Sequence, residues 1–496
     1  MNISEILLET ARVLPEHPAM IFRNESITYY EFAERVREKT VGLREHGITN
    51  SSHVALMMAN KPDYAIAYFS LLAIGATVVP INPTFKEQEI TYILNDSDAM
   101  AIIVDEVGVE EIKKARNNLS SVKHFISLPP TDQFTPWAEV SGNPVHFALE
   151  PKDPIDNAQI IYTSGTTGKP KGALITHGNL EWMSKTSADI LELTKEDRVL
   201  VVLPLFHAYA KLQGLLQCVL KGCTIYLEER FIPDHILQKL SDNKITIFLG
   251  VPTMYTMFVQ SPKIQDLDFT SLRIAGSGGA SLPLEIIDKV KAEMGVEIGE
   301  GYGQTESTVM ISCNPSDIPK KYGSIGVPLP GLELKIVDPN GREVPVGEVG
   351  EIIFKGANAM KGYYKKEIET KETIKDGWLY TGDLGKRDEE GYLYIVDRKK
   401  DLIIRGGYNV YPREVEEVLY THPDVVECAV VGEADPVFGE EVAAYVVTKS
   451  PKTPEDITSY CKRQLAHYKV PRKVYFLKEL PKTTTGKILK TPLRKK

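Results

Sequence analysis

Tyr162-Thr163-Ser164-Gly165-Thr166-Thr167-Gly168-Lys169-Pro170-Lys171-Gly172 is the richest local signal in the 496-residue chain. It follows the apolar pair Ile160-Ile161. Glycines let backbone N–H groups turn inward around anionic oxygens. Hydroxyls and lysines add donors and positive charge. A Walker A loop, G-x-x-x-x-G-K-[ST], does not fit. With Gly168-Lys169 as its G-K pair, the first glycine falls on Thr163, and Lys169 is followed by Pro170. A Walker loop runs into a helix that holds the phosphates, and Pro170 argues against that continuation. The plain alternative is a surface turn. Three glycines, four Ser/Thr hydroxyls and two lysines from Thr163 to Gly172 make polyphosphate binding the better reading.

Upstream of this loop, helical patterns alternate with short apolar runs: His53–Met58, Thr77–Ile81 and Ala101–Val104. Downstream the alternation continues through Val199–Leu203, Thr224–Leu227 and Ile245–Leu249. This predicts an α/β arrangement with largely parallel strands. After Ser324 the texture changes. Leu332–Val337, Glu351–Phe354 and Tyr392–Val396 are separated by Gly and Pro turns, which predicts an antiparallel sheet or small barrel. The charge cluster Asp397-Arg398-Lys399-Lys400-Asp401 marks a boundary, and the remainder suffices for a small α+β domain. In it, Pro412 opens one helix. Thr453 reads as the N-cap of another, with Pro454 next and Ile457, Tyr460, Cys461 and Leu465 on one apolar face. The expected organisation is a large domain over 1–397, a hinge at 398–401 and a mobile lid over 402–496.

Composition narrows the class. Hydrophobic residues make up 43% and charged residues 25%, ordinary for a folded soluble chain. A net charge of −9 disfavours nucleic acid as a partner. Five scattered cysteines fit a reducing cytoplasm better than a disulfide framework or zinc site. The first twenty residues lack the basic start of a signal peptide. The uncharged run Tyr64 to Ile81 reaches membrane-spanning length. Gly75, Pro80 and the β-branched Thr77-Val78-Val79 instead predict a buried helix ending near Ile74 and then a buried strand.

The phosphate loop resembles the signature of the adenylate-forming superfamily, which includes acyl-CoA synthetases, peptide-synthetase adenylation domains and beetle luciferases. The resemblance runs along the whole chain, with further motifs in the expected order. It implies two α/β sheet layers plus a small distorted β-barrel in the large domain. Thr163, Ser164, Gly165, Thr166, Thr167 and Lys171 would then hold phosphates. Glu300-Gly301-Tyr302-Gly303-Gln304-Thr305-Glu306 follows a strand-like run ending near Ile298; its glycines allow close approach to a flat ligand and Tyr302 offers a ring for a purine. Thr305 and Glu306 supply hard oxygens suited to Mg²⁺. By resemblance Tyr302 stacks on adenine, Thr305 meets the α-phosphate and Glu306 helps hold Mg²⁺, with Glu300 and Gly301 beside them. Asp383 in Tyr380-Thr381-Gly382-Asp383 resembles the ribose ligand, and Arg398 reaches the same sugar. Gly278 and Gly279, in Gly276-Ser277-Gly278-Gly279-Ala280, line the adenine and acyl sites. His207 falls beside the reacting carboxylate, as a positioning residue. Lys487, in Pro481-Lys482-Thr483-Thr484-Thr485-Gly486-Lys487, matches the catalytic lysine. Lys400 matches the hinge, and Gly406 and Gly407 the segment that approaches the pantetheine arm of CoA. The tail Arg494-Lys495-Lys496 reads as solvated.

The implied activity is acyl-CoA synthesis from a carboxylic acid, ATP and CoA with Mg²⁺. No aspartate follows Phe206-His207-Ala208-Tyr209 to meet an α-ammonium, so amino acids are disfavoured. Small residues (Ala208, Gly276, Gly278, Gly279) point to a slender channel for medium- or long-chain fatty acids. Aryl acids of the coumarate or benzoate type come second. Transfer to a carrier protein, a luciferase-like oxygenase and a non-catalytic ATP-binding scaffold are the other readings. Glu306, Asp383 and Lys487 together argue against the scaffold. Monomer and homodimer both stay open.

Overall fold

The computed structural model describes residues 1–163, 169–315, 318–483 and 486–494. Among these, strands assemble into four sheets: one of nine strands, one of eight and two of five.

The eight-stranded sheet is built around parallel strands His53–Met57, Thr77–Pro80 and Ala101–Asp105, as the apolar runs predict. Alternate residues feed two cores. Val54, Leu56, Val78, Ala101 and Ile103 pack into the main core, while Ala55, Met57, Val79, Ile102 and Val104 pack into a second one on the opposite face. Covering on both faces is why these strands read as unbroken apolar runs. The helix Pro62–Ile74 is buried from Tyr64 through Ile74 and ends on a left-handed Gly75. A helix apolar all round belongs in a core. Among the described residues no helix is long and apolar enough to cross a membrane.

The loop that opens the sequence reading joins two antiparallel strands, Asn157–Thr163 and Lys171–Thr176, with Thr163 opposite Lys171. The continuation is thus a strand and not a Walker helix. The nine-stranded sheet carries Arg198–Val201, Thr224–Leu227, Ile247–Gly250, Ile274–Ser277 and Ile298–Tyr302 in parallel. Its far side is completed by Pro18–Phe22, which pairs with Thr224–Leu227.

Glu333–Val337, Gly350–Lys355, Trp378–Arg387 and Leu393–Arg398 form an antiparallel sheet around Ile325, Ile336, Ile352 and Leu393. In the C-terminal domain, Val425–Asp435 and Gly439–Thr448 form a long antiparallel pair. The helices Pro412–Tyr420 and Pro454–Lys462 contribute Val415, Leu419, Ile457 and Cys461 to the core on one face. Thr453 caps the second helix by accepting from the Asp456 N–H. Leu480 and Leu493 cover the opposite face.

Candidate active site

The site is assembled where the ends of strands from three sheets meet a loop of the C-terminal domain. Asp383 is its best-anchored residue. Register sets it opposite Arg398, whose Nε is 3.3 Å from Oδ1. The Tyr302 hydroxyl donates to Asp383 Oδ2 at 2.6 Å, and the Gln304 amide donates to the same oxygen at 2.8 Å and to Thr381 O at 2.7 Å. Burial first, then the Asp383 charge, holds the Tyr302 phenol well above its usual pKa, so it stays a donor. The sequence reading has this strand ending near Ile298. It instead runs Ile298–Tyr302, so Glu300, Gly301 and Tyr302 are strand residues delivered edge-on to the cleft. Burial raises the Glu300 carboxyl to about 7, and one of its oxygens accepts from the Leu282 N–H at 3.2 Å.

The chain then turns sharply. Thr305–Ser307 form one 3₁₀ turn, followed by Thr308 at φ 49° and Val309 at φ 88°. A β-branched residue at positive φ is strained, and such strain collects at functional sites. Neighbours hold it in place: Val309 N–H donates to Gln304 O at 2.9 Å, and Thr308 Oγ1 to Asn358 O at 2.8 Å. Gly303 is obligatory here, because a Cβ would lie 2.0 Å from Val309 O.

The turn presents Glu306 to the hairpin of Asn157–Thr163 and Lys171–Thr176. Its Oε1 accepts from Thr163 Oγ1 at 3.3 Å and from the Tyr363 hydroxyl at 2.9 Å. Lys171 Nζ lies over the Tyr363 ring, 4.6 Å from its centroid. Ser164, Gly165, Thr166 and Thr167 lie outside the described residues. Among the described residues no cluster of three His, Cys, Asp or Glu could hold a metal. A lone carboxylate suits Mg²⁺, which keeps most of its waters and relies on substrate phosphates.

Lys487 enters from the C-terminal domain. Its loop is pinned by Thr483 N–H to Lys487 O at 2.7 Å and Lys487 N–H to Thr483 Oγ1 at 3.1 Å. A Cβ on the neighbouring Gly486 would lie 2.6 Å from Thr253 Oγ1, so the loop is pressed against the large domain. The Lys487 side chain keeps solvent contact, yet protein crowds it. Desolvation first, then the positive Arg398 and Lys400, lowers its ammonium to about 8, while Asp383 and Asp401 work against that. His207 is lowered to about 4 by desolvation and by the charges of Lys211 and Lys487. It is therefore neutral at pH 7.

The hairpin Ile403–Arg405/Tyr408–Val410 carries Gly406 (φ 56°) and Gly407 (φ 83°) at its two-residue turn. Two consecutive positive φ values define the turn that matches strand twist and requires glycine. Gly406 N–H bonds Phe438 O at 2.8 Å, and a side chain on Gly407 would meet open space. The hinge stretch is tied down by an unexpected residue. Arg494 is not simply solvated: it pairs with Asp401 Oδ1 at 2.5 Å and reaches Lys400 O at 3.4 Å. Lys495 and Lys496 lie outside the described residues.

Residues 7–364 match the AMP-binding enzyme family, and residues 414–487 match the AMP-binding enzyme C-terminal domain. The chain belongs to the AMP-binding enzyme family. It is 37% identical to a long-chain-fatty-acid–CoA ligase of Escherichia coli O6:H1, over 97% of this chain and 91% of that protein. It is 35% identical to a feruloyl-CoA synthase of an Amycolatopsis species, over 98% and 97% of the two. Among solved structures it resembles ATP-bound MatB from Rhodopseudomonas palustris with a TM-score of 0.92 at 31% identity, covering 99% of this chain and 98% of that one. The apo form of MatB superposes less well, at 0.79.

In this AMP-binding enzyme three site residues escaped the sequence reading. Gln304 stood inside a quoted motif without a role. Tyr363 reaches Glu306 only because Gly362–Tyr363 pairs with Leu174 and Ala173 at the sheet edge. Lys211 follows the His207 motif and looks like an ordinary surface lysine, yet it is 1% exposed. The space beside the small residues is also partly filled. A Cβ on Gly276 would meet Leu249 at 2.6 Å, and one on Gly278 would meet the Tyr209 ring at 3.4 Å.

Proposed function

We propose that this protein is an ATP-dependent acid–thiol ligase. It converts a carboxylic acid, in the first place a medium- or long-chain fatty acid, into its acyl-CoA in the cytoplasm. The observation that carries this reading is the convergence of Lys487, from the C-terminal domain, on the Asp383–Arg398 pair and His207 of the large domain.

A carboxylate does not react with a thiol directly, because hydroxide is a poor leaving group. The carboxylate oxygen instead attacks the α-phosphorus of ATP and pyrophosphate leaves. The thiolate then attacks the acyl-adenylate carbonyl and AMP leaves. The chain's contribution to the first step is positioning and charge stabilisation. Asp383 accepts from the ribose hydroxyls, held by Tyr302, Gln304 and Arg398. Lys487 bridges the carboxylate and α-phosphate oxygens, and neutral His207 orients the acid. Thr305 contacts the α-phosphate, while Lys171 and the hairpin loop hold the departing portion. Glu306 would hold Mg²⁺, which supplies charge neutralisation at the phosphates.

Lys487 and the Gly406–Gly407 hairpin belong to one small domain. Rotation of that domain about residues 398–401 would withdraw the lysine and bring the glycines to the cleft for the thiol. The better superposition on ATP-bound than on apo MatB supports reading the present arrangement as the adenylating one. The long-chain-fatty-acid–CoA ligase relative supports the acid class. The feruloyl-CoA synthase relative keeps aryl acids as the second reading.

Pyrophosphate and AMP release across a panel of carboxylic acids, with and without CoA, tests the proposal. Mg²⁺-dependent pyrophosphate release with some acid, followed by AMP and acyl-CoA once CoA is added, is the expected result. Release of neither product with any acid would overturn it.

A further inference from the structure

Three residues past His207 the chain enters a π-helical segment, Ala210–Leu216. Lys211 N–H donates to His207 O at 3.1 Å, so the two residues lie one turn apart, about 6 Å along the axis. His207 borders the reacting end, and Lys211 lies deeper. Among the described residues Lys211 Nζ has no hydrogen-bond partner. The Tyr68 ring lies beside it, 5.1 Å from ammonium to centroid. The Tyr68 hydroxyl is itself engaged, donating to Gln159 at 3.0 Å.

Lys211 lines a small cavity with Gln159, Ile161, Ala208, Thr305, Thr308 and Val309. Thr305 connects this cavity to the expected α-phosphate position. The lining holds no carboxylate, and its free space is ≈ 10 Å³, about enough for one water. A buried amine without a hydrogen-bond partner is costly, and burial drives the Lys211 ammonium well below its usual pKa. A structural lysine would be paired. This one borders a cavity it shares with Ala208 and Thr305, on the side of the expected α-phosphate position.

We propose that Lys211 determines specificity, and that the preferred acid carries a second carboxylate, distal to the reacting one, which pairs with Lys211 at the floor of the acyl pocket. The inference rests on the ligase reading above and narrows its acid class from plain alkanoates to ω-carboxy acids. A distal carboxylate restores the charged form of Lys211 and completes a buried ion pair. An alkanoate of equal length leaves the amine dry and unpaired. Pockets built around an unpaired polar group discriminate strongly against ligands that fail to satisfy it.

The test compares monocarboxylic acids with ω-dicarboxylic acids of matched chain length, reading kcat/KM from pyrophosphate release with ATP, Mg²⁺ and CoA. The wild-type protein is expected to favour the dicarboxylate of at least one matched pair by about tenfold or more. Lys211→Met replaces a buried amine by an apolar chain of similar length, a change that folded proteins tolerate. It should lower the ratio of dicarboxylate to monocarboxylate kcat/KM by about 10²-fold. Lys211→Arg should retain the dicarboxylate preference. A wild-type preference for monocarboxylates at every length would overturn the proposal. So would an equal loss on both substrates in Lys211→Met, since a purely structural lysine would give that. Turnover of monocarboxylates alone sinks this inference and spares the ligase reading. Absence of AMP and pyrophosphate with every acid sinks both.

Discussion

The proposed nucleotide corner and the proposed floor of the acyl pocket treat their polar groups in opposite ways. At the corner, Asp383 is 4% exposed and fully engaged, with Tyr302, Gln304 and Arg398 on its two oxygens. At the floor, Lys211 is equally buried and has no hydrogen-bond partner among the described residues. The corner is pre-organised by the protein itself, so ATP meets fixed groups and little has to reorganise. The floor leaves one group to be completed by whichever acid enters. Chemistry shared by many acids is thus built into the protein, and the choice of acid is delegated to the ligand.

That contrast can be broken at its most exposed point, Lys487. Replacing it by alanine should lower acyl-adenylate formation by about 10²–10³-fold, the usual effect of removing one charge-stabilising donor. Thioester synthesis from supplied acyl-adenylate should be largely spared. Pyrophosphate release and acyl-CoA formation, measured separately, check this. Equal losses in both half-reactions would mean that the lysine is not specific to the first step.

A smaller effect is expected at the corner. Asp383→Asn removes the charge that Tyr302, Gln304 and Arg398 surround. Hydrogen bonds to a charged group contribute about 1.5–3 kcal/mol, so the KM for ATP should rise about 10–100-fold. Because the corner is separate from the floor, the order of preference among acids should not change. A reordered acid panel would show that the two regions are coupled.

The smallest effect is a pH limb. Lys487 acts as an ammonium, and its pKa in the free enzyme is about 8. Below pH 8 it is mostly charged, and above pH 8 the charge is lost. kcat/KM for ATP in adenylation should therefore halve near pH 8 and fall about tenfold per further unit. Lys487→Ala should lack that limb. A limb that survives the substitution would belong to another group.

Much of the scaffold was legible because its signals are local. The run His53–Met58 became a strand whose alternate side chains feed two cores, and Gly75 ended the helix before it. Thr453 capped its helix as its spacing predicts. The strand holding Glu300 was misjudged by a few residues, because Gly299, Gly301 and Gly303 look like turn formers. In fact Gly299 and Gly301 sit in an internal strand, with Gly301 opposite Cys313, and only at Gly303 would a Cβ clash, 2.0 Å from Val309 O. The apolar and small residues near the acyl pocket suggested an open channel, and Leu249 and Tyr209 occupy part of that room. No pattern along the chain could reveal those fillers.

By itself the amino-acid sequence determined the absence of a Walker helix after Pro170, the order of the motifs and the alternation of strands and helices. Backbone freedom, capping and side-chain period are properties of neighbouring residues. Only the tertiary structure decided that Tyr363 lies against Glu306, that Arg494 ties down Lys400 and Asp401, and that Lys211 is buried beside a small cavity instead of in solvent. Each depends on segments far apart in the chain being packed together, and burial, unlike propensity, is conferred by what lies on the other side.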